Sequence, residues 1–135
     1  MKIKLFTLYL LLFSPLAFAD VEDINNQEII ALMQNSVTLI DIRRADEWRD
    51  TGVIMNSSLL TFFDKNGNHN AEEWISKLKN ITNENDPVII ICRSGKRSGI
   101  VSKLLDEKTN YTNVYNASGG MVSWINSKNK TVDPK

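Results

Sequence analysis

The chain has 135 residues and a formal net charge of zero. A neutral chain of this size gives no reason to expect affinity for nucleic acid, and its length suits one domain with one core. Cys92 is the only cysteine, so an intramolecular disulfide is excluded. His69 is the only histidine, so the chain lacks the group of cysteine and histidine ligands that a zinc site usually requires. We therefore expect neither a metal nor another cofactor.

Residues 1–19 have the pattern of a secretory signal peptide. A cationic start precedes an apolar run over residues 5–13, which is too short to span a bilayer. Ala17-Phe18-Ala19 then places small residues at the −3 and −1 positions of a cleavage site. Cleavage would remove two lysines and no acid, so the net charge would move from zero to −2 on a single domain over residues 20–135. We expect secretion to the bacterial periplasm without stable membrane association after cleavage.

The rest of the chain alternates predicted helices and strands. Apolar periodicity and capping residues predict helices over 27–34, 45–49, 71–81, 98–108 and 121–127, and short apolar runs predict strands over 37–42, 58–62, 88–92 and 114–115. This alternation favours an α/β fold with a mostly parallel sheet. The run 88–92 is continuously apolar, as in a strand that is buried on both faces. Ligands of such sheets bind beyond the carboxyl ends of the strands.

Cys92 ends this buried strand and opens a short polar loop before a predicted helix. Successive backbone N–H groups that turn around one point form an anion-binding nest, and a helix N-terminus adds about half a positive charge. Together with three basic side chains in the loop, they favour the thiolate, which is the reactive form of cysteine. We expect Cys92 to attack the outer sulfur of a small anionic donor and to hold that sulfur as a persulfide.

Two other interpretations of Cys92 are less well supported. An inert buried cysteine is common in proteins, but three basic residues and a glycine in the next five positions do not suit an inert core residue. Cysteine phosphatases require an arginine at the sixth position after the cysteine, which here is Ser98, while Arg97 comes one position early. The shorter loop suits one sulfur atom better than a phosphate, so phosphatase or arsenate chemistry is the weaker alternative.

Three blocks of the chain resemble those of rhodanese domains, in the same order and spacing. The blocks are Asp41-Ile42-Arg43 with Glu47-Trp48, Cys92 through Ser98, and Gly119-Gly120-Met121-Val122-Ser123-Trp124. The resemblance covers nearly all of residues 20–135, and the size and signal peptide are similar to those of exported single-domain rhodaneses of bacteria. One departure is the segment 51–58, which stands where rhodaneses usually carry Gly-His-Ile-Pro-Gly-Ala.

The resemblance implies a rhodanese-like fold, with about five parallel strands and helices on both faces of the sheet. It also implies thiosulfate sulfurtransferase activity through a persulfide on Cys92. The donor would be bound by the loop residues Arg93, Ser94, Gly95, Lys96, Arg97 and Ser98, whose amides form the cradle. Asp41, Arg43 and Glu47 would support the loop. Arg43 and Glu47 lie four residues apart, so we expect them to form a structural ion pair.

The expected partners are a small anionic sulfur donor and a thiol or cyanide acceptor, with a protein as a further candidate acceptor. The same residues also suit a persulfide carrier or binding module on this fold, which would hand sulfur to a partner without turnover.

Overall fold

Five short strands form one parallel sheet in the computed structural model, which describes residues 21–135. They are β1 (Glu22–Ile24), β2 (Thr38–Asp41), β3 (Ser58–Leu59), β4 (Val88–Ile91) and β5 (Val114–Ala117), in the order β1-β5-β4-β2-β3. Each neighbouring pair is parallel. The expected α/β fold with about five parallel strands is confirmed. The predicted signal peptide, residues 1–19, lies outside the described residues.

All five predicted helices are present, and no helix end differs from the predicted one by more than two residues. They are α1 (Asn26–Gln34), α2 (Ala45–Thr51), α3 (Ala71–Lys79), α4 (Lys96–Lys108) and α5 (Gly120–Asn126). Asn25 caps α1, because its side chain accepts from the Glu28 amide and the Glu28 carboxylate accepts from the Asn25 amide. Within residues 21–135, every helix is too short or too polar to cross a membrane.

The sheet separates two apolar clusters, because alternate residues of a strand point to opposite faces. On one face, Ile89 and Ile91 of β4 pack with residues of α1 and α5, including Ile29 and Met121. The other face carries the cluster of β4, α3 and α4, whose members include Ile90, Cys92, Leu78 and Leu105. Cys92 therefore lies at the carboxyl end of a central strand, on the side that α3 and α4 cover.

The largest differences from the predicted strands concern β1 and β3, while β2, β4 and β5 differ by at most two residues at either end. β1 was not predicted, because it has three residues and only Ile24 is buried, so it carries no readable period. β3 ends at Leu59, although the prediction extended to residue 62. The chain beyond it still follows β2, since the amides of Leu60 and Phe62 donate to the carbonyls of Asp41 and Ile42 at 3.0 and 3.1 Å.

Candidate active site

The Cys92 sulfur lies at the base of the loop between β4 and α4. The residue is only 1% exposed. Its Sγ accepts a hydrogen bond from the Gly95 amide at 3.1 Å and lies 3.2 Å from the Ser98 hydroxyl. Among the described residues, these are the hydrogen-bond partners of the sulfur. Both groups can donate to an anionic sulfur, so they are placed to stabilise a thiolate.

The tight curl of the loop requires glycine at position 95. Gly95 has φ +91° and immediately precedes the first residue of α4. A Cβ at this position would come within 2.0 Å of the Ser118 carbonyl oxygen. Glycine therefore allows the backbone to turn its N–H toward Sγ while the loop packs against residue 118. The positive end of the 13-residue helix α4 begins at the next residue.

The first turn of α5 holds the other side of the loop. The Met121 amide donates to the Cys92 carbonyl at 2.9 Å, and the Val122 amide donates to the Arg93 carbonyl at 3.0 Å. At Gly120, with φ +59°, a Cβ would lie 2.3 Å from that same Arg93 carbonyl oxygen. These two bonds use the loop carbonyls and leave its N–H groups available for the sulfur. The Gly-Gly block was identified from the sequence, but this role was not, because it depends on how α5 docks.

Asp41 and Arg43 form a buried ion pair at the carboxyl end of β2. Arg43 Nη2 lies 2.8 Å from Asp41 Oδ2, and both side chains are 1% exposed. The guanidinium also donates to the Thr51 hydroxyl at 2.8 Å and to the Gly52 carbonyl at 3.0 Å. Because these two acceptors stand at the end of α2, the pair fixes that helix against the sheet.

The expected ion pair between Arg43 and Glu47 is wrong. Arg43 reaches only the backbone carbonyl of Glu47, at 3.4 Å, because its guanidinium turns inward to Asp41. The Glu47 carboxylate instead accepts from Arg97 of α4, with Nη1–Oε2 at 2.9 Å and Nη2–Oε1 at 2.6 Å. The pair is bidentate, which is the strong geometry for arginine and a carboxylate. It joins α2 to the helix that follows Cys92.

This contact changes the titration of both groups. Burial by itself would raise the pKa of Glu47, but hydrogen bonds from Arg97 and from the Arg44 amide outweigh it and lower the pKa to about 2. The hydrogen bonds to Glu47 raise the pKa of Arg97 above its ordinary value. Glu47 and Arg97 are therefore both charged at neutral pH.

The predicted donor-binding residues occupy different environments. The side chains of Arg93, Ser94 and Lys96 are exposed around the loop, whereas Ser98 is fully buried against the sulfur. Arg97 is half-buried and committed to Glu47. The structure thus brings Gly95 and Ser98 to the sulfur directly. Asp41 and Arg43 contact each other and the end of α2, and Glu47 contacts α4 through Arg97.

Comparison with known proteins agrees with this arrangement. The rhodanese-like domain family matches residues 25–127. A mitochondrial protein of Schizosaccharomyces pombe, named as a thiosulfate sulfurtransferase, is 28% identical over 107 residues, covering 78% of this chain and 75% of the relative.

Two solved structures have the same fold. A rhodanese-like domain protein from Staphylococcus aureus superposes with a TM-score of 0.58 at 26% identity, over 77% of this chain and 91% of that one. The polysulfide-sulfur transferase homodimer from Wolinella succinogenes gives a TM-score of 0.66 at 23% identity, over 87% of this chain and 82% of that one. With the family match over most of its length and a cysteine at the base of the loop, the chain belongs to the rhodanese-like domain family.

Proposed function

We propose that this protein is a thiosulfate sulfurtransferase that works through a persulfide on Cys92. The observation that carries the proposal is the position of Sγ, which is 3.1 Å from the Gly95 amide and 3.2 Å from the Ser98 hydroxyl at the start of α4. These groups stabilise negative charge on sulfur, both on the thiolate and on the outer sulfur of a persulfide. Family membership supports sulfur donors and acceptors in general, and thiosulfate is the donor that we propose.

The reaction has two steps. In the first, the Cys92 thiolate attacks the outer sulfur of thiosulfate, the bond between the two thiosulfate sulfurs breaks, and sulfite leaves with its electron pair. The outer sulfur then stands about 2 Å beyond Sγ, as in an ordinary sulfur–sulfur bond. In the second step, cyanide or a thiolate attacks this outer sulfur, and the electron pair of the broken bond returns to Sγ.

Intact-mass measurement tests the covalent intermediate. Thiosulfate treatment should add one sulfur atom to the protein, and cyanide should remove it. The Cys92→Ser variant should fold normally and gain no sulfur. If the Cys92→Ser variant still formed thiocyanate from thiosulfate and cyanide, the mechanism would be contradicted.

The alternative is a persulfide carrier that loads sulfur without turnover. Steady-state thiocyanate production separates the two proposals. Many cycles per protein molecule support the enzyme, whereas one equivalent of sulfur transferred and no further reaction supports the carrier.

We also propose that residues 1–19 direct export to the bacterial periplasm. The support is the signal-peptide pattern, with Ala17 and Ala19 before the cleavage site. Mass spectrometry of the protein recovered from a periplasmic fraction should show a mature chain that begins at Asp20. Recovery of the full-length chain from the cytoplasm would contradict this proposal.

A further inference from the structure

A cavity of about 380 Å³ adjoins the Cys92 loop, between α2 and α5. Its walls include Glu47 and Asp50 of α2, Arg93 of the loop, and Val122 and Ile125 of α5. We call it the acceptor cavity. Its volume suits a small molecule.

The acceptor cavity borders the loop that follows Cys92, and Cys92 itself is not among the lining residues. Arg93 directly follows Cys92, and Met121, whose amide holds the Cys92 carbonyl at 2.9 Å, also lines the cavity. The same hydrogen bonds that shape the loop therefore fix one wall of the cavity. A ligand in this space contacts Arg93, the residue that directly follows Cys92.

Most charges in the wall of the cavity are already neutralised. Glu47 is paired with Arg97, Arg43 with Asp41, and Arg44 with Asp46. Arg93 and Asp50 differ from these groups. Both side chains are exposed, and neither takes part in an ion pair within residues 21–135. The cavity thus offers one cation and one carboxylate to a ligand.

The α5 wall of the cavity is mostly apolar, with Met121, Val122 and Ile125 beside Asn126. Val122 and Ile125 are 43% and 37% exposed, so they present apolar surface to a ligand in the cavity. Thiosulfate and cyanide are small anions without an apolar part. Neither can contact the apolar wall, the cation and the carboxylate of the cavity at the same time.

We propose that the acceptor cavity binds the sulfur acceptor, and that this acceptor is an amino-acid thiol with both a carboxylate and an ammonium group. The carboxylate binds Arg93, the ammonium binds Asp50, and the carbon chain lies against Val122 and Ile125. This inference rests on the proposed function, since it concerns the second step of that reaction.

The transfer step balances without an oxidant or a reductant. The acceptor thiolate attacks the outer sulfur of the Cys92 persulfide, and a new sulfur–sulfur bond forms as the bond to Sγ breaks. The electron pair returns to Sγ as a thiolate, and the outer sulfur leaves with its negative charge as the persulfide anion of the amino-acid thiol.

Four thiols separate the contributions of the two charges. Cysteine carries both a carboxylate and an ammonium group, N-acetylcysteine only the carboxylate, cysteamine only the ammonium, and 2-mercaptoethanol neither. The protein is first loaded with thiosulfate and freed of excess donor, and the rate of sulfur removal by each thiol is then followed by intact mass. Each rate is divided by the 2-mercaptoethanol rate of the same variant, so that a general effect on the loop cancels.

Arg93→Gln should lower the relative rates of cysteine and N-acetylcysteine about fivefold and leave that of cysteamine unchanged. Asp50→Asn should lower the relative rates of cysteine and cysteamine by a similar factor and leave that of N-acetylcysteine unchanged. Arg49→Gln is the matched control, because it removes an exposed charge of α2 that does not line the cavity.

Each outcome decides the inference. Relative rates that do not change in either variant would overturn the acceptor cavity while leaving the proposed function in place. If the wild-type protein gains no sulfur from thiosulfate, the proposed function and this inference both fall. Circular dichroism of the variants checks that exposed-residue changes leave the fold intact.

Discussion

The carboxylate of Glu47 and the guanidinium of Arg97 form a bidentate ion pair between α2 and α4, with contacts of 2.9 and 2.6 Å. The two residues are 50 positions apart in the chain. Their contact ties the helix after Cys92 to the helix that the buried Asp41–Arg43 pair anchors. Support of the Cys92 loop therefore passes from β2 through α2 to α4.

The Glu47–Arg97 pair should make stability depend on pH. The pKa of Glu47 is lowered from 4.5 to about 2 in the folded protein, so its contribution is fully present above about pH 4.5 and is lost as the pH falls toward 2. Glu47→Gln should reduce the free energy of unfolding by about 1–2 kcal/mol at pH 7, after allowance for solvent screening, and by progressively less below pH 4.5.

Urea unfolding at pH 7, 4 and 3 measures this dependence. Glu107→Gln is the control, because that carboxylate is 54% exposed and only 3.8 Å from Lys103. A constant difference between Glu47→Gln and the wild type across this range would show that the pair does not set the pH dependence.

Gly95→Ala should distort the Cys92 loop. The new Cβ would lie 2.0 Å from the Ser118 carbonyl oxygen, and the backbone has φ +91°. We expect a loss of stability of at least about 2 kcal/mol, from contact and backbone strain together, and a large loss of sulfur loading. Gly67→Ala is the matched control, since its φ is +81° but no atom lies within 4 Å of the new Cβ.

Gly67→Ala should lower the free energy of unfolding by only about 1 kcal/mol, because alanine at a positive φ is strained but makes no clash at this position. Thermal unfolding and intact mass after thiosulfate treatment measure both variants. Equal destabilisation of the two would mean that the contact with Ser118 is not what requires glycine in the loop.

Asp41→Ala should be among the most destabilising single changes in the domain. It would leave the Arg43 guanidinium buried without its anion, at a cost of about 3–5 kcal/mol. Glu73→Ala removes the acid from a comparable contact with Lys77 at 2.7 Å, but both of those side chains are 58% exposed. That control should change stability by about 0.5 kcal/mol or less. Chemical denaturation compares the two, and similar losses would argue against the buried pair as an anchor of α2.

Ser98→Ala should slow sulfur loading about tenfold, because it removes a hydroxyl that can donate to the Cys92 thiolate. Ser102→Ala is the matched control. Ser102 is also fully buried on α4, one turn further along, but its hydroxyl has no hydrogen-bond partner among the described residues. Single-turnover loading followed by mass should be unchanged in that control. Equal rates for the two variants would exclude a direct role of the Ser98 hydroxyl.

Sequence patterns predicted the helices and the central strands, because apolar periods of 3.6 and 2 residues are local properties. It also identified Cys92 and its loop, since a lone thiol between a continuous apolar strand and a basic, Gly-containing turn is visible in a few adjacent residues. β1 escaped prediction because its one buried side chain gives no period.

Which charged groups pair with each other depends on how the helices pack against the sheet. Spacing along the chain suggested Arg43 with Glu47, but Arg43 turns inward to Asp41 and Glu47 reaches Arg97. Likewise, the amides of α5 bond the loop carbonyls only because α5 docks against the loop. The docking of α2 places Asp50 in the wall of the cavity that Arg93 also lines. Burial and hydrogen-bond geometry in three dimensions determine which groups a long charged side chain contacts. The spacing of residues along the sequence does not contain that information.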